Sequence, residues 1–253
     1  MPASLLENHP LSTQPKPGRY SKGLMWFRRD LRTHDNAALF YALKHCEQVH
    51  CVFVYDKTIL DALTNKADRR VEFIWESCMA LKTKLQGFGG DLHLIHDHAE
   101  TAIPELATKL GVQAVFTNKD YEPAAIHRDI TVGKTLQGKG IELFRFKDQA
   151  IFEEDEVLTQ AGKFFSVFTP FKNACLKKLD AFHLTPYPSE ARVGSLAKDS
   201  NLTAPSLDHM GFKRTNLLDM IKPGEEGALD AFEDFLDRMD KYKVARDFPA
   251  IKG

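Results

Sequence analysis

The sequence predicts an α/β fold: five parallel strands with flanking helices, then a long connector and the start of an all-helical segment. From Lys22 to Phe146 short apolar runs alternate with longer amphipathic ones, which is how repeated βα units on a parallel sheet are written. After Phe146 this alternation dissolves into segments rich in Asp, Gly and Pro up to about Gly224, and from Glu225 one amphipathic helix is strongly marked. The chain therefore divides into a loose, disordered leader over 1–21, an α/β domain over 22–146, a connector over 147–224 and a final helical segment over 225–253.

Taken in order, the expected strands are Gly23–Phe27, Val49–Tyr55, Asp91–Ile95, Ala114–Asn118 and Glu142–Phe146, each rich in Val, Leu, Ile or Phe and bounded by turn residues. The first must end where Arg28 begins, because the three arginines and two aspartates of Arg28 to Asp35 cannot be buried as a continuing strand. Asp35 or Asn36 then caps a helix from Ala37. A second helix places Val71, Ile74, Trp75, Cys78, Leu81 and Leu85 on one face and is stopped by Gly87, Gly89 and Gly90. The third runs from Thr101 to Leu110, and the fourth from about Pro123 until shortly before Gly138 and Gly140. In the connector, Thr169-Pro170 opens a helix with Phe171, Ala174, Cys175 and Leu179 on its apolar face and Lys172, Lys177 and Lys178 in water. The last helix carries Leu229, Phe232, Phe235, Leu236 and Met239 as a stripe that requires a partner.

Composition narrows the function. Of 253 residues 43% are hydrophobic and 27% charged, and no apolar run is long enough to span a membrane, so an ordinary soluble, cytoplasmic protein is expected. The 34 basic and 35 acidic residues give a net charge of −1, which excludes a bulk positive field for nucleic acid. Four cysteines without C-x-x-C spacing read as reduced thiols. No glycine-rich phosphate loop follows the first strand, which disfavours an ordinary NAD or ATP domain. Asp30, Asp56 and Asp120 sit at strand ends, but no nucleophile or metal ligand accompanies them, so hydrolysis is disfavoured too. His93, His96 and His98 point in different directions from a strand and its end, and no metal site is expected from their spacing. Open sheets of this kind bind ligands beyond the carboxyl ends of their strands, so the loops 28–36, 55–69 and 118–123 should face one site.

Three ordered blocks are more specific. Trp26-Phe27-Arg28-Arg29-Asp30-Leu31-Arg32 followed by Asp35-Asn36-x-Ala-Leu, then Asp120-Tyr121-Glu122-Pro123 with Arg128-Asp129, and finally Tyr242-x-x-x-Arg246-Asp247-x-Pro249-Ala250-x-x-Gly253 resemble, in that order, the DNA photolyase and cryptochrome family. The resemblance runs with interruptions from Trp26 to Gly253 and covers about the first half of such proteins. It implies a Rossmann-like amino-terminal domain that holds an optional light-harvesting antenna. It also implies a helical domain, truncated here, in which FAD would repair cyclobutane pyrimidine dimers in damaged DNA by light-driven electron transfer.

On that resemblance no catalytic residue is expected in this chain, and the fragment alone should be inactive. The antenna contacts of deazaflavin-type relatives map onto Arg70, Phe53, Val54, Asp120 and Glu122, with Arg28 on the same strand-end face; Tyr242 is the one matched FAD contact. Ala124 and Ala125 replace the Asn-Glu pair of the folate-type pattern, so 8-hydroxy-5-deazaflavin or FMN is favoured over a folate. The alternatives are a cryptochrome-like blue-light photoreceptor and a non-enzymatic antenna or nucleotide-binding module. The arginine-rich loop also has a plainer reading as a structural hub, with Asp30 and Asp35 neutralising Arg28, Arg29 and Arg32. Self-association through the 229–239 stripe is expected if its partner is missing.

Overall fold

A computed structural model describes residues 20–153, 155–248 and 250. All five strands are present: β1 (Tyr20–Phe27), β2 (Cys46–Asp56), β3 (Leu92–Asp97), β4 (Ala114–Asn118) and β5 (Glu142–Phe146). They form one parallel sheet in the order β3-β2-β1-β4-β5. Alternation within the strands decides the layers. Met25, Phe27, Cys51, Phe53 and Phe116 face α1 (Ala37–His45) and α2 (Arg69–Gly87), whereas Leu24, Trp26, Val52, Val54 and Val115 face α3 (Ala99–Leu110) and α4 (Pro123–Gly138). The sheet is thus covered on both sides, and its strands read as nearly continuous apolar runs for that reason.

Several boundaries differ from expectation. β1 starts at Tyr20, so the last two residues of the expected leader belong to the sheet; Ser21 is tied there by its N–H to Gln113 Oε1. The rest of the leader lies outside the described residues, as do Pro249 and Gly253 of the closing block. β2 begins at Cys46 with no loop after α1, and the Cys46 N–H still closes that helix on Ala42 while Cys46 pairs with Tyr20. Asn36 rather than Asp35 caps α1, accepting from the Leu39 N–H at 3.0 Å. Ile74 is no core residue: it is 37% exposed at the sheet's rim.

The connector is packed against the domain. Leu207, Met210, Phe212 and Leu217 are buried, the first three in the same core cluster as α2, and Trp75 donates its indole N–H to the Pro205 carbonyl at 2.8 Å. Glu72, also buried, accepts from the backbone and hydroxyl of Thr215. By contrast α5 (Phe168–Lys178) has no fully buried residue: Phe171 of its expected apolar face is exposed, and Ala174, Cys175 and Leu179 are only partly covered. α6 (Gly224–Leu236) lies against α2 at its first turn, where Lys84 binds Glu225 at 2.9 Å, and leaves Leu229, Phe232, Leu236 and Met239 exposed, as its pattern requires of an unpartnered stripe. Among the described residues no helix is long and apolar enough to cross a membrane.

Candidate functional site

β1, β2 and β4 end side by side, and a cleft of about 650 Å³ opens beyond their carboxyl ends. That volume lies in the range of small-molecule sites. Its apolar surface comes from Trp26 and Phe27 at the end of β1, Phe53 and Val54 of β2, Ile59 and Leu60 of the helical turn Lys57–Leu60, and Ile74 of α2. Ala99 and Glu100 at the start of α3 and Ala124, Ala125, His127 and Arg128 of α4 close the other side. Consecutive strand-end residues alternate between the two faces of the sheet, so Phe27 and Phe53 border the cleft from one layer and Trp26 and Val54 from the other.

A polar cluster holds these strand ends together. Asn118, at the end of β4, donates to Asp30 Oδ2 at 2.6 Å and to Asn36 Oδ1 at 3.0 Å, and accepts from the Ala38 N–H at 2.9 Å. Asp30 accepts from the Arg28 N–H at 2.7 Å. All three side chains are buried, and together they satisfy the backbone turn that the dense charge after Phe27 forces.

Arginines surround this knot, and their partners are not the neighbouring aspartates that the hub reading named. Arg28 donates to Asp129 at 2.6 Å and to the Asn118 carbonyl. Arg29 bridges Asp120 at 3.1 Å and Glu122 at 2.7 Å across the mouth of the cleft. Arg32 reaches Asp148 at 2.9 Å and the Asp35 carbonyl. Asp129 is fully buried and faces three guanidinium groups, since Arg128 lies 3.5 Å and Arg145 3.7 Å from its oxygens. Burial works against the charge on Arg128 and Arg145 and lowers their pKa values, while desolvation raises that of Asp148. Arg28 and Arg128 also lie over the Trp26 ring, 5.0 and 5.2 Å from its centroid, so the indole is fixed by cation–π contacts as well as by packing.

Of the residues singled out from sequence, Arg28, Phe53, Val54, Asp120 and Glu122 line this cleft together. Arg70 does not: its guanidinium turns back on Asp68 at 2.5 Å and is 77% exposed. Tyr242 sits apart, in a helical turn at Tyr242–Ala245, edge-on to Phe235. Trp26 is buried and also contributes to the cleft. Arg29 and Arg128 were within quoted blocks, but nothing in their spacing distinguishes cleft arginines from hub arginines. His93, His96 and His98 do not converge: His98 meets Thr58, and His96 packs by His209.

Residues 23–191 match the family model described as DNA photolyase. A 31.6 kDa protein of Synechococcus sp. (strain PCC 6716), named uncharacterized and lying in an atpI 5' region, is 32% identical over 92% of this chain and 82% of its own length. A deoxyribodipyrimidine photo-lyase of Synechococcus sp. (strain ATCC 27144) is 31% identical over 91% of this chain but 48% of its own. Among solved structures, a bacterial class III photolyase from Agrobacterium tumefaciens superposes with a TM-score of 0.74 at 27% identity, over 95% of this chain and 49% of that one. The chain thus spans about half the length of the photo-lyases it matches.

Proposed function

The chain belongs to the DNA photolyase family, and on that premise we propose that its cleft holds a flat, light-absorbing ring, an 8-hydroxy-5-deazaflavin or FMN. The protein it serves would split cyclobutane pyrimidine dimers in DNA under light. The observation that carries this is the cleft itself: one broad apolar volume at the carboxyl ends of the strands, bounded by Trp26, Phe53, Ile59 and Ile74 and rimmed by the Arg29–Asp120–Glu122 bridge. These residues fit such a group, since apolar walls exclude water from the ring faces and fixed polar groups at one edge orient it. When bound, the ring would supply absorption of light and transfer of excitation energy. Arg29 would hold the polar edge or tail, and Asp120 would keep Arg29 oriented. Ala124 and Ala125 leave room on the α4 side.

FAD is a different matter. Tyr242, its one matched contact, is half exposed and does not line the cleft, so no catalytic step is placed on this chain. Dimer repair, damaged DNA as partner and a cytoplasmic location follow from family membership as parts of the same proposal.

A second reading, a free-standing binding module of the same fold, is favoured by the Synechococcus relative that this chain covers over 82% of its length. Intact mass of the protein isolated from its native cells separates the two.

The cleft is tested by offering the purified chain FMN, the deazaflavin and a reduced folate and measuring affinity by fluorescence and released pigment by mass spectrometry. Ala124→Trp, at an exposed wall position, should abolish binding without unfolding the chain. Absence of any bound ring, or equal binding to Ala124→Trp, would overturn the proposal.

A further inference from the structure

β2 is longer than its neighbour β3, which pairs with it only from Cys51 onward, so residues 46–50 of β2 would present a free edge on that side. The connector fills the gap: Leu196 bridges Val49 in parallel, and the Ala197 N–H donates to the Val49 carbonyl at 2.8 Å. Two residues later the chain delivers Asp199 to a pair of imidazoles. His50 precedes Val52 by two on β2, and His93 lies opposite Val52 on β3, so both project from the same face of the sheet. His50 Nδ1 stands 2.7 Å and His93 Nε2 3.4 Å from the same Asp199 Oδ2. The place is near the amino end of the sheet, roughly 10–13 Å along β2 from Phe53 and Val54 of the cleft.

Ordinary pairing leaves this cluster unfinished. His93 Nε2 is buried yet makes no hydrogen bond, although it faces a carboxylate oxygen. No lysine or arginine pairs with Asp199 among the described residues, and against the cost of burial the two imidazoles hold its carboxyl below the usual range. One ligand atom from each residue lies within 4.8 Å of the others. Tetrahedral bonds of about 2.0–2.1 Å place neighbouring donors about 3.3 Å apart, so small side-chain adjustments suffice to seat an ion among them. Two imidazoles with a single carboxylate suit zinc and its late transition-metal neighbours rather than magnesium or calcium, which require more oxygens. His93 and Asp199 are part exposed, which leaves a coordination position open to water.

We propose that His50, His93 and Asp199 form a zinc-class metal site that fastens the connector to the free edge of β2. The four cysteines are not part of it: Cys51 alternates to the opposite face of β2. The bound ion replaces the His50–Asp199 hydrogen bond and gives His93 Nε2 a partner, so metal binding and closure of the sheet edge are one event.

The whole 253-residue chain is titrated with Co²⁺ and watched for visible d–d absorption, then back-titrated with Zn²⁺. Expected is saturation at one equivalent, displacement by Zn²⁺, a Zn²⁺-dependent rise in Tm and slower hydrogen exchange at Ala197. His93→Gln, which keeps volume at a part-exposed position, and Asp199→Asn should each weaken Co²⁺ binding at least tenfold while circular dichroism remains that of the parent. A parent chain without d–d bands, bands dominated by thiolate charge transfer, or a titration unchanged in a folded His93→Gln or Asp199→Asn chain would each overturn the proposal. None of these readouts depends on the cleft or on light.

Discussion

Replacing Asp129 by Asn keeps the shape of the side chain and removes the one carboxylate at the centre of three guanidinium groups. Arg28, Arg128 and Arg145 are 8, 16 and 11% exposed, and Asp129 is wholly buried, so the charges left behind cannot be rehydrated without opening α4 from the sheet. Breaking a buried ion pair by deleting one partner costs about 3–5 kcal/mol. Arg28 keeps its bond to the Asn118 carbonyl and its place on the Trp26 ring, which favours the lower end of that range. For a chain of this size each kcal/mol lowers Tm by about 2–4 °C, so a fall of about 6–12 °C is expected. The assay is urea unfolding followed by circular dichroism and by Trp26 and Trp75 fluorescence, in the parent, in Asp129→Asn and in Asp129→Asn with Arg145→Met. The double variant should regain part of the loss, because it removes one of the stranded charges. A single-variant cost below about 1 kcal/mol, or a double variant no more stable than the single, would refute the view that Asp129 is the internal counter-ion of this cluster.

Other consequences are equally open to measurement. A Cβ added to Gly23 would lie 2.5 Å from Cys46 Sγ and 3.2 Å from the Phe116 ring, so Gly23→Ala should cost about 1–3 kcal/mol. Cys46→Ala in the same chain should return much of that, and additivity of the two changes in chemical denaturation would contradict the close approach. Asp91, paired with Lys82 in a buried site, Asp199, and Asp68, hydrogen-bonded by Arg70, are all held below the usual carboxylate range. Their folded pKa values lie under the unfolded ones, so their contribution is full above about pH 4 and is lost as pH falls through the folded values. Stability should therefore be level near neutrality and decline below about pH 4, less steeply in Asp91→Asn; an equally steep acid limb in that variant would count against it. Phe232→Glu with Leu236→Glu, at exposed positions, should change monomer stability by no more than about 0.5 kcal/mol and abolish self-association, which a monomeric parent in concentrated sedimentation runs would disprove.

The sheet was legible because burial on both faces writes strands as apolar runs, and the helices between them because glycine and proline punctuate their ends. What escaped reading depended on tertiary partners. The second strand is expected only from Val49, and pairing of Cys46 and Gln48 with Tyr20 and Lys22 is what extends it. Leu207, Met210 and Phe212 lack any period, yet the turns of the connector put all three into the core. Placing loops at strand ends put Arg28, Asp120 and Glu122 on one face, and Phe53 and Val54, which only the family resemblance named, line the same cleft. Arg70 stands away from the cleft for a local reason: Asp68, two residues back, offers its guanidinium a bidentate partner. His50 and Asp199 are far apart in sequence, and no spacing rule joins them.

The order β3-β2-β1-β4-β5 makes the first strand of the sheet its middle one, and this governs how the chain is made. β2 can join β1 as soon as it leaves the ribosome, but the other side of β1 must wait until β4 is synthesised. At about 5–20 residues per second, residues 57–113 take roughly 3–12 s, during which the backbone of Gly23 to Met25 stands open on one edge. The cleft inherits that delay, because Asp120, Glu122 and Arg128 arrive later still. A nascent chain thus has a central strand exposed before it has a binding site.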